Sequence, residues 1–254
     1  CACLVGSEMC IRDREYIVNG SQAREIDRCS IQEIGIPSMV LMEKAAMSVA
    51  SCIMAQADKK QDRILVVCGT GNNGGDGVAA ARMLRDAGYI ASVLVLGQEE
   101  RCSEEMKQQI SIARHLGVSV FWDNLTGETT FTETSFSEYS IIVDAIFGIG
   151  LSRDVTGVIA DYINAINRSA ADVLAVDIPS GLSVGAGAVL GTAVKATITV
   201  TFGHNKRGLV LYPGTEYAGQ VVVTDIGFPE MVTERVMKQS QTFTYTIEDL
   251  SVYF

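Results

Sequence analysis

The stretch Arg63-Ile-Leu-Val-Val-Cys-Gly-Thr-Gly-Asn-Asn-Gly-Gly-Asp-Gly-Val-Ala-Ala-Ala-Arg-Met-Leu-Arg-Asp-Ala-Gly88 limits the possible fold more than any other part of the chain. It reads as a buried strand, a glycine-rich turn and a helix. Ile64 to Cys68 is apolar at every position, as expected for a parallel strand covered on both faces. Val78 to Ala87 carries strong helix formers with apolar residues at helical spacing. Between them stand Gly69, Gly71, Gly74, Gly75 and Gly77. Glycine permits positive φ and lets the backbone touch a ligand, while the free N–H groups and positive dipole end of the next helix attract an anion. A ligand phosphate is therefore expected at this turn, with Asn72, Asn73 and Asp76 supplying oriented polar groups.

Gly69, Gly71 and Gly74 satisfy the dinucleotide pattern G-x-G-x-x-G, but the usual acidic companion roughly 20 residues on is missing. The second strand, Ala91-Ser-Val-Leu-Val-Leu96, ends in Gly97-Gln98, and the first acids are Glu99 and Glu100. The full string Gly71-Asn-Asn-Gly-Gly-Asp-Gly77 is much rarer than its glycine skeleton. A turn using glycine for packing alone leaves the two Asn and the Asp unexplained.

The rest of the chain repeats the strand and helix alternation, which with 254 residues, 48% of them hydrophobic, suits one large α/β domain. No apolar run approaches the ~20 residues that cross a bilayer. A net charge of −10 argues against nonspecific binding to nucleic acid or an anionic membrane, so a phosphate must be held locally. The seven cysteines lack C-x-x-C spacing and read as reduced thiols of a cytoplasmic protein. Residues 1–14 read as a non-native or disordered extension without a functional role.

Helices are expected over Ser21–Ile36 and Met39–Ala55, then about 103–115 and Val155–Asn167, with strands at 90–96, 118–121 and 140–144. A β-rich end follows, comprising Lys195–Phe202, Gly208–Tyr212 and Gly219–Asp225. His115 suits a helix C-terminus, His204 reads as an exposed turn residue, and Lys206 could reach a phosphate, with a solvated turn lysine as the default. Two further apolar strands end in acids. Asp144 closes one, ahead of Gly148-Ile-Gly-Leu-Ser-Arg-Asp154. Asp177 closes the other, ahead of Pro179, Ser180 and Gly181. A carboxylate at the end of a buried strand is costly unless paired or metal-bound, which makes both better candidates than surface acids. In an open α/β sheet, the three loops at 71–77, 144–154 and 177–181 share the crevice at the strands' carboxyl ends.

Taken together, Gly71–Gly77, Val-Asp-Ala-Ile-Phe-Gly-Ile-Gly at 143–150, Val-Asp-Ile-Pro-Ser-Gly-Leu at 176–182 and Thr-Val-Thr-Phe-Gly at 199–203 resemble the NAD(P)HX epimerase family, the YjeF N-terminal domain. Arg24-Glu-Ile-Asp27 and Leu41-Met-Glu43 fit that family's first two helices. The resemblance implies an α/β fold, a Rossmann-like three-layer α/β/α sandwich with a mostly parallel central sheet, spanning 15–230. It further implies a homodimer that interconverts the R and S forms of hydrated NADH or NADPH for an S-specific dehydratase. Residues 231–254 are then a linker or the start of a C-terminal dehydratase domain. Carried over by position, Asn72, Asn73, Gly74, Gly75, Asp76, Gly148, Ile149, Gly150, Leu151, Ser152, Arg153, Asp154 and Asp177 bind the substrate. Asn73, Asp144 and Ser180 bind K+, and Asp177 is the expected acid/base. Departures from the family pattern are Lys44 and Ala46 in the second helix and Ser183-Val-Gly-Ala-Gly187 after the third motif. Two other readings exist: a nonenzymatic partner-binding module on the same fold, and a Gly-Gly-Asp-Gly nucleotide kinase.

Overall fold

The computed structural model describes residues 16–59, 61–126 and 133–239; the extension read at 1–14 and the end of the chain from 240 lie outside them. The chain begins with β1 (Ile17–Val18), α1 (Gly20–Gln32), α2 (Ser38–Met54), β2 (Arg63–Cys68), α3 (Asn72–Asp86) and β3 (Ile90–Leu96). It continues through α4 (Glu104–His115), β4 (Ser119–Asp123), α5 (Glu133–Phe136), β5 (Ile141–Ala145), α6 (Val158–Arg168) and β6 (Asp172–Val176). The last third holds β7 (Ile198–Phe202), β8 (Asn205–Lys206), α7 (Arg207–Val210), α8 (Thr215–Ala218), β9 (Gln220–Thr224) and α9 (Glu230–Gln239). Among the described residues, no helix is long and apolar enough to cross a membrane.

Seven strands form one sheet in the order β4-β3-β2-β5-β6-β7-β9, and each neighbouring pair is parallel. The unbroken apolar run of β2 follows from burial on both faces. Ile64, Val66 and Cys68 pack with α2, α3 and α4, while Leu65 and Val67 pack with Phe136 of α5 and Tyr162, Ile163 and Ile166 of α6. This is the expected three-layer sandwich. Each fully buried aliphatic side chain contributes roughly 1.5–3 kcal/mol, so the central strands anchor the domain. Strand order reverses between β2 and β5, and a crevice is expected outside the carboxyl ends at such a switch point.

Three expectations change. The string Gly71–Gly77 is not a loop, because α3 already starts at Asn72 with Gly71 as its N-cap. None of Gly69, Gly71, Gly74, Gly75 and Gly77 has positive φ. A Cβ at Gly74 would collide with the Gly69 carbonyl, one at Gly75 with Met42, and one at Gly77 with Ala145 of β5. These glycines press the helix onto its neighbours; conformational freedom is not what they provide. Secondly, Gly208–Tyr212 is not a strand: Arg207–Val210 forms the short α7, with Leu209 buried against Ile178, Leu182 and Val184. An apolar run this short suits a buried turn of helix as well as a strand, and periodicity does not separate them. Thirdly, the start of the 231–254 segment is no linker. Val232, Val236 and Met237 of α9 pack against Val18, Ile26 and Cys29 beside α1, so the domain runs at least to Gln239.

Two local devices fix the cavity wall built by α1. Asn19 and Gln22 form a reciprocal capping box that sets the start of the helix. The preceding β1 pairs in parallel with β8, placing Val18 beside Lys206.

Candidate active site

A cavity of about 170 Å³ opens at the carboxyl ends of the central strands. Its polar walls are Asn72, Asn73 and Asp76 in the first turns of α3, Asp27 of α1, Asp177 after β6, and His204 and Lys206 after β7. Ala23, Ile26, Leu41, Met42, Ile149, Phe202 and Phe228 are among the apolar residues that complete it. The result is a small, largely apolar chamber containing three carboxyl groups and one lysine.

Asp177 is the focus of the polar part. Its backbone takes φ 68°, a left-handed conformation that Asp adopts more readily than most residues, and its amide donates to the Val200 carbonyl at 2.8 Å. Oδ1 accepts from Lys206 Nζ at 2.5 Å, the Phe202 amide at 3.2 Å and Thr201 Oγ1 at 3.4 Å. Oδ2 accepts no hydrogen bond among the described residues. Lys206 is only 3% exposed and also donates to the Phe202 carbonyl at 2.8 Å, so the default reading of a solvated lysine is corrected. A buried ammonium needs partners, and this one has a carboxylate and a carbonyl.

The other titratable walls are shifted by burial. Desolvation, followed by the negative charges of Asp177 and Asp27, raises the Asp76 carboxyl well above the usual carboxylate range. Burial and then Asp177 also raise Asp27. His204 is half-buried, contrary to its reading as an exposed turn residue, with Nε2 within 2.9 Å of Thr233 Oγ1 and its ring edge-on to Tyr16. Burial and the neighbouring Lys206 push its pKa down to about 4, so the ring is neutral at neutral pH.

A second polar centre stands at the end of β5. Asp144 is fully buried, and Ser180 Oγ donates to its Oδ1 at 2.6 Å while the Ser180 amide donates to Oδ2 at 2.7 Å. The Ile146 amide reaches Oδ1 at 3.2 Å, and the Phe147 amide donates to Ser180 Oγ at 2.8 Å. Burial outweighs these bonds and raises the carboxyl to about 6. Gly181, at φ 92°, makes the turn possible, since a Cβ there would collide with the Thr192 carbonyl. The Asn73 side chain lies against Gly148, and its buried Nδ2 has no hydrogen-bond partner.

Comparison with known proteins decides the family. The family model described as YjeF-related protein N-terminus matches residues 38–208. A protein of Oenococcus oeni named NAD(P)H-hydrate epimerase is 44% identical over 213 residues, covering 84% of this chain and 97% of that protein. Another of that name, from Levilactobacillus brevis, is 42% identical over 82% of this chain and 92% of its own length. The chain belongs to the YjeF-related N-terminal family. A crystal structure of the yeast protein ynu0, YNL200c, shares the fold, with a TM-score of 0.73 at 24% identity over 92% of this chain and 96% of that one.

Within this YjeF-related domain, the structure groups the sequence candidates unevenly. Asn72, Asn73, Asp76, Ile149 and Asp177 line one cavity. Gly74 and Gly75 are buried and support helix packing, and the Gly75 amide is spent on the Gly71 carbonyl at 3.1 Å. Gly148 abuts Asn73, while Gly150, Ser152, Arg153 and Asp154 are exposed and do not line the cavity. Leu151 packs partly buried beside the α6 cluster. Asp27, His204 and Lys206 were not among the sequence candidates. Asp27 carried a usable signal: it interrupts the helical apolar spacing of Ala23, Ile26 and Ile31, all on the cavity wall.

Proposed function

We propose that this domain epimerises hydrated NADH and NADPH, NAD(P)HX, at C6 of the nicotinamide ring, with Asp177 as the acid/base. The observation that carries the reading is the position of Asp177 in a chain 44% identical to a NAD(P)H-hydrate epimerase: Oδ1 is fully engaged and Oδ2 is left at the cavity. At C6, a hydroxyl neighbours the ring nitrogen. Inversion proceeds by protonation and departure of that hydroxyl as water, leaving an iminium-like ring, followed by addition of water to the other face and return of the proton. Asp177 assists departure and guides the returning water. The chamber suits the intermediate, because largely apolar walls receive the ring while the polar side chains of Asp27, Asp76 and Asp177 line the same space.

The first turn of α3 has no side-chain cap at Gly71, which leaves its leading N–H groups for the substrate's phosphates, with the exposed Arg153 as a further partner. Potassium belongs to the same proposal, held by Asn73, Asp144 and Ser180. The donor types fit: the fully buried Asp144 carboxylate, the Ser180 hydroxyl bonded to it and the Asn73 side-chain carbonyl are oxygen ligands suited to a hard cation. When bound, the ion offsets the buried charge of Asp144 and orders the loops after β5 and β6. A homodimer, an S-specific dehydratase partner and a cytoplasmic setting complete the reading; the free thiols of Cys29, Cys52, Cys68 and Cys102 suit a reducing compartment.

The test is conversion of purified R-NADHX to S-NADHX, followed by chromatography. The wild-type chain is expected to exceed the spontaneous rate clearly, and Asp177→Asn to lose about 100-fold or more in kcat at little-changed substrate affinity. Full epimerisation by Asp177→Asn at unchanged affinity would remove Asp177 from the mechanism.

A further inference from the structure

Accepting the epimerase reading, we infer that Lys206 is the positioning residue of the reaction: it holds Asp177 Oδ1 so that Oδ2 alone is presented to the reacting hydroxyl. Asp177 could turn either oxygen to the cavity if nothing distinguished them. Here one oxygen is taken by three donors and the other by none among the described residues, and the shortest of the three bonds, 2.5 Å, comes from Lys206 Nζ.

Lys206 is itself fixed from two directions. Its Nζ donates to the Phe202 carbonyl at 2.8 Å, tying the ammonium to the end of β7, the same strand end whose amide bonds Asp177. Its backbone lies in β8, paired to Val18 of β1, immediately before the helix that carries Asp27. One residue thus links the Asp177 turn, through its side chain, to the β1–α1 segment, through its backbone. Among the described residues it is also the only Lys or Arg on the cavity lining, beside Asp27, Asp76 and Asp177, with His204 neutral at neutral pH. Among the described residues, Lys206 is the one cation paired with Asp177.

Misplacing a reacting group by about 1 Å can cost about 100-fold in rate, whereas substrate contacts elsewhere are unaffected. Lys206→Gln shortens and discharges the donor; its expected kcat for R-to-S conversion falls about 10-fold to 100-fold with KM within about threefold of wild type. Lys206→Arg retains the charge in a broader, forked head group, so it is expected to recover part of the rate, leaving kcat about 3-fold to 10-fold below wild type at the same KM. Folding of each variant is checked by circular dichroism and a cooperative thermal transition. A wild-type kcat in folded Lys206→Gln overturns the inference, as does a raised KM with unchanged kcat, which would assign Lys206 to ground-state binding. Should Lys206→Gln fail to fold, Lys206→Arg decides: a reduced kcat at unchanged KM supports positioning, and a wild-type kcat overturns it. An inactive wild-type chain, by contrast, rejects the epimerase reading itself.

Discussion

His204 provides a quantitative test of how dry the chamber's rim is. Burial, and secondarily Lys206, lower its pKa from an ordinary 6.5 to about 4. A depressed folded-state pKa means that the unfolded chain takes up a proton before the native one does. The stability so contributed is present above pH 6.5 and is lost as the pH falls toward 4. Over that whole interval the shift corresponds to about 3 kcal/mol; between pH 7 and 5.5 it amounts to about 1.2 kcal/mol. Asp144 acts in the opposite sense. Its carboxyl is raised from 3.8 to about 6, so its contribution is present at low pH and is lost as the pH rises through 6. Between pH 7 and 5.5 that opposing contribution is about 0.8 kcal/mol, so it masks roughly two-thirds of the His204 effect in a single pH series of the wild-type chain. His204→Gln separates them: the amide can keep the bond to Thr233 but does not titrate, while Asp144 is common to both proteins. Urea unfolding of the two chains at pH 7 and 5.5 is the assay. Wild type should lose about 1 kcal/mol more than His204→Gln on acidification, whatever their stabilities at pH 7. Equal losses, within about 0.3 kcal/mol, would mean that the ring is as easily protonated in the folded protein as in the unfolded one, and the description of a buried neutral imidazole would be wrong.

Two further outcomes concern the glycines and the cation centre. Gly74→Ala forces a Cβ against the Gly69 carbonyl, a backbone atom that cannot swing aside, and is expected to cost about 1–3 kcal/mol or more in urea unfolding; Gly71→Ala, with nothing within 4 Å of its Cβ, should stay within about 0.5 kcal/mol of wild type. Equal losses at both positions would refute the packing role. Replacing sodium by potassium should raise the thermal midpoint of the wild-type chain and leave Asp144→Asn unmoved, because the ion's anionic ligand is then gone; a shift of the same size in both proteins would place potassium elsewhere.

Much of this protein was legible from local chemistry. Burial on both faces forces every position of Ile64–Cys68 to be apolar, and acids that end such runs stand out, so β2, the acids at 144 and 177 and the shared crevice all follow from short stretches of chain. The glycines of Gly71–Gly77 marked a crowded place correctly but not its nature. Glycine is selected equally by positive φ and by close approach, and only the packing of α3 against β2 and β5 shows that close approach is the cause. The 208–212 run was likewise ambiguous, since five apolar residues do not reveal a period. What tertiary structure alone decided is the chemistry around Asp177. Lys206 sits in a polar turn with no pattern to mark it as buried, and its partner is 29 residues away in sequence. Asp27 and His204 reach the same chamber from α1 and from the turn after β7. Hydrophobic periodicity is written along the chain because each element must bury one face, whereas the pairing of one charge with another is set by where separate elements end in space.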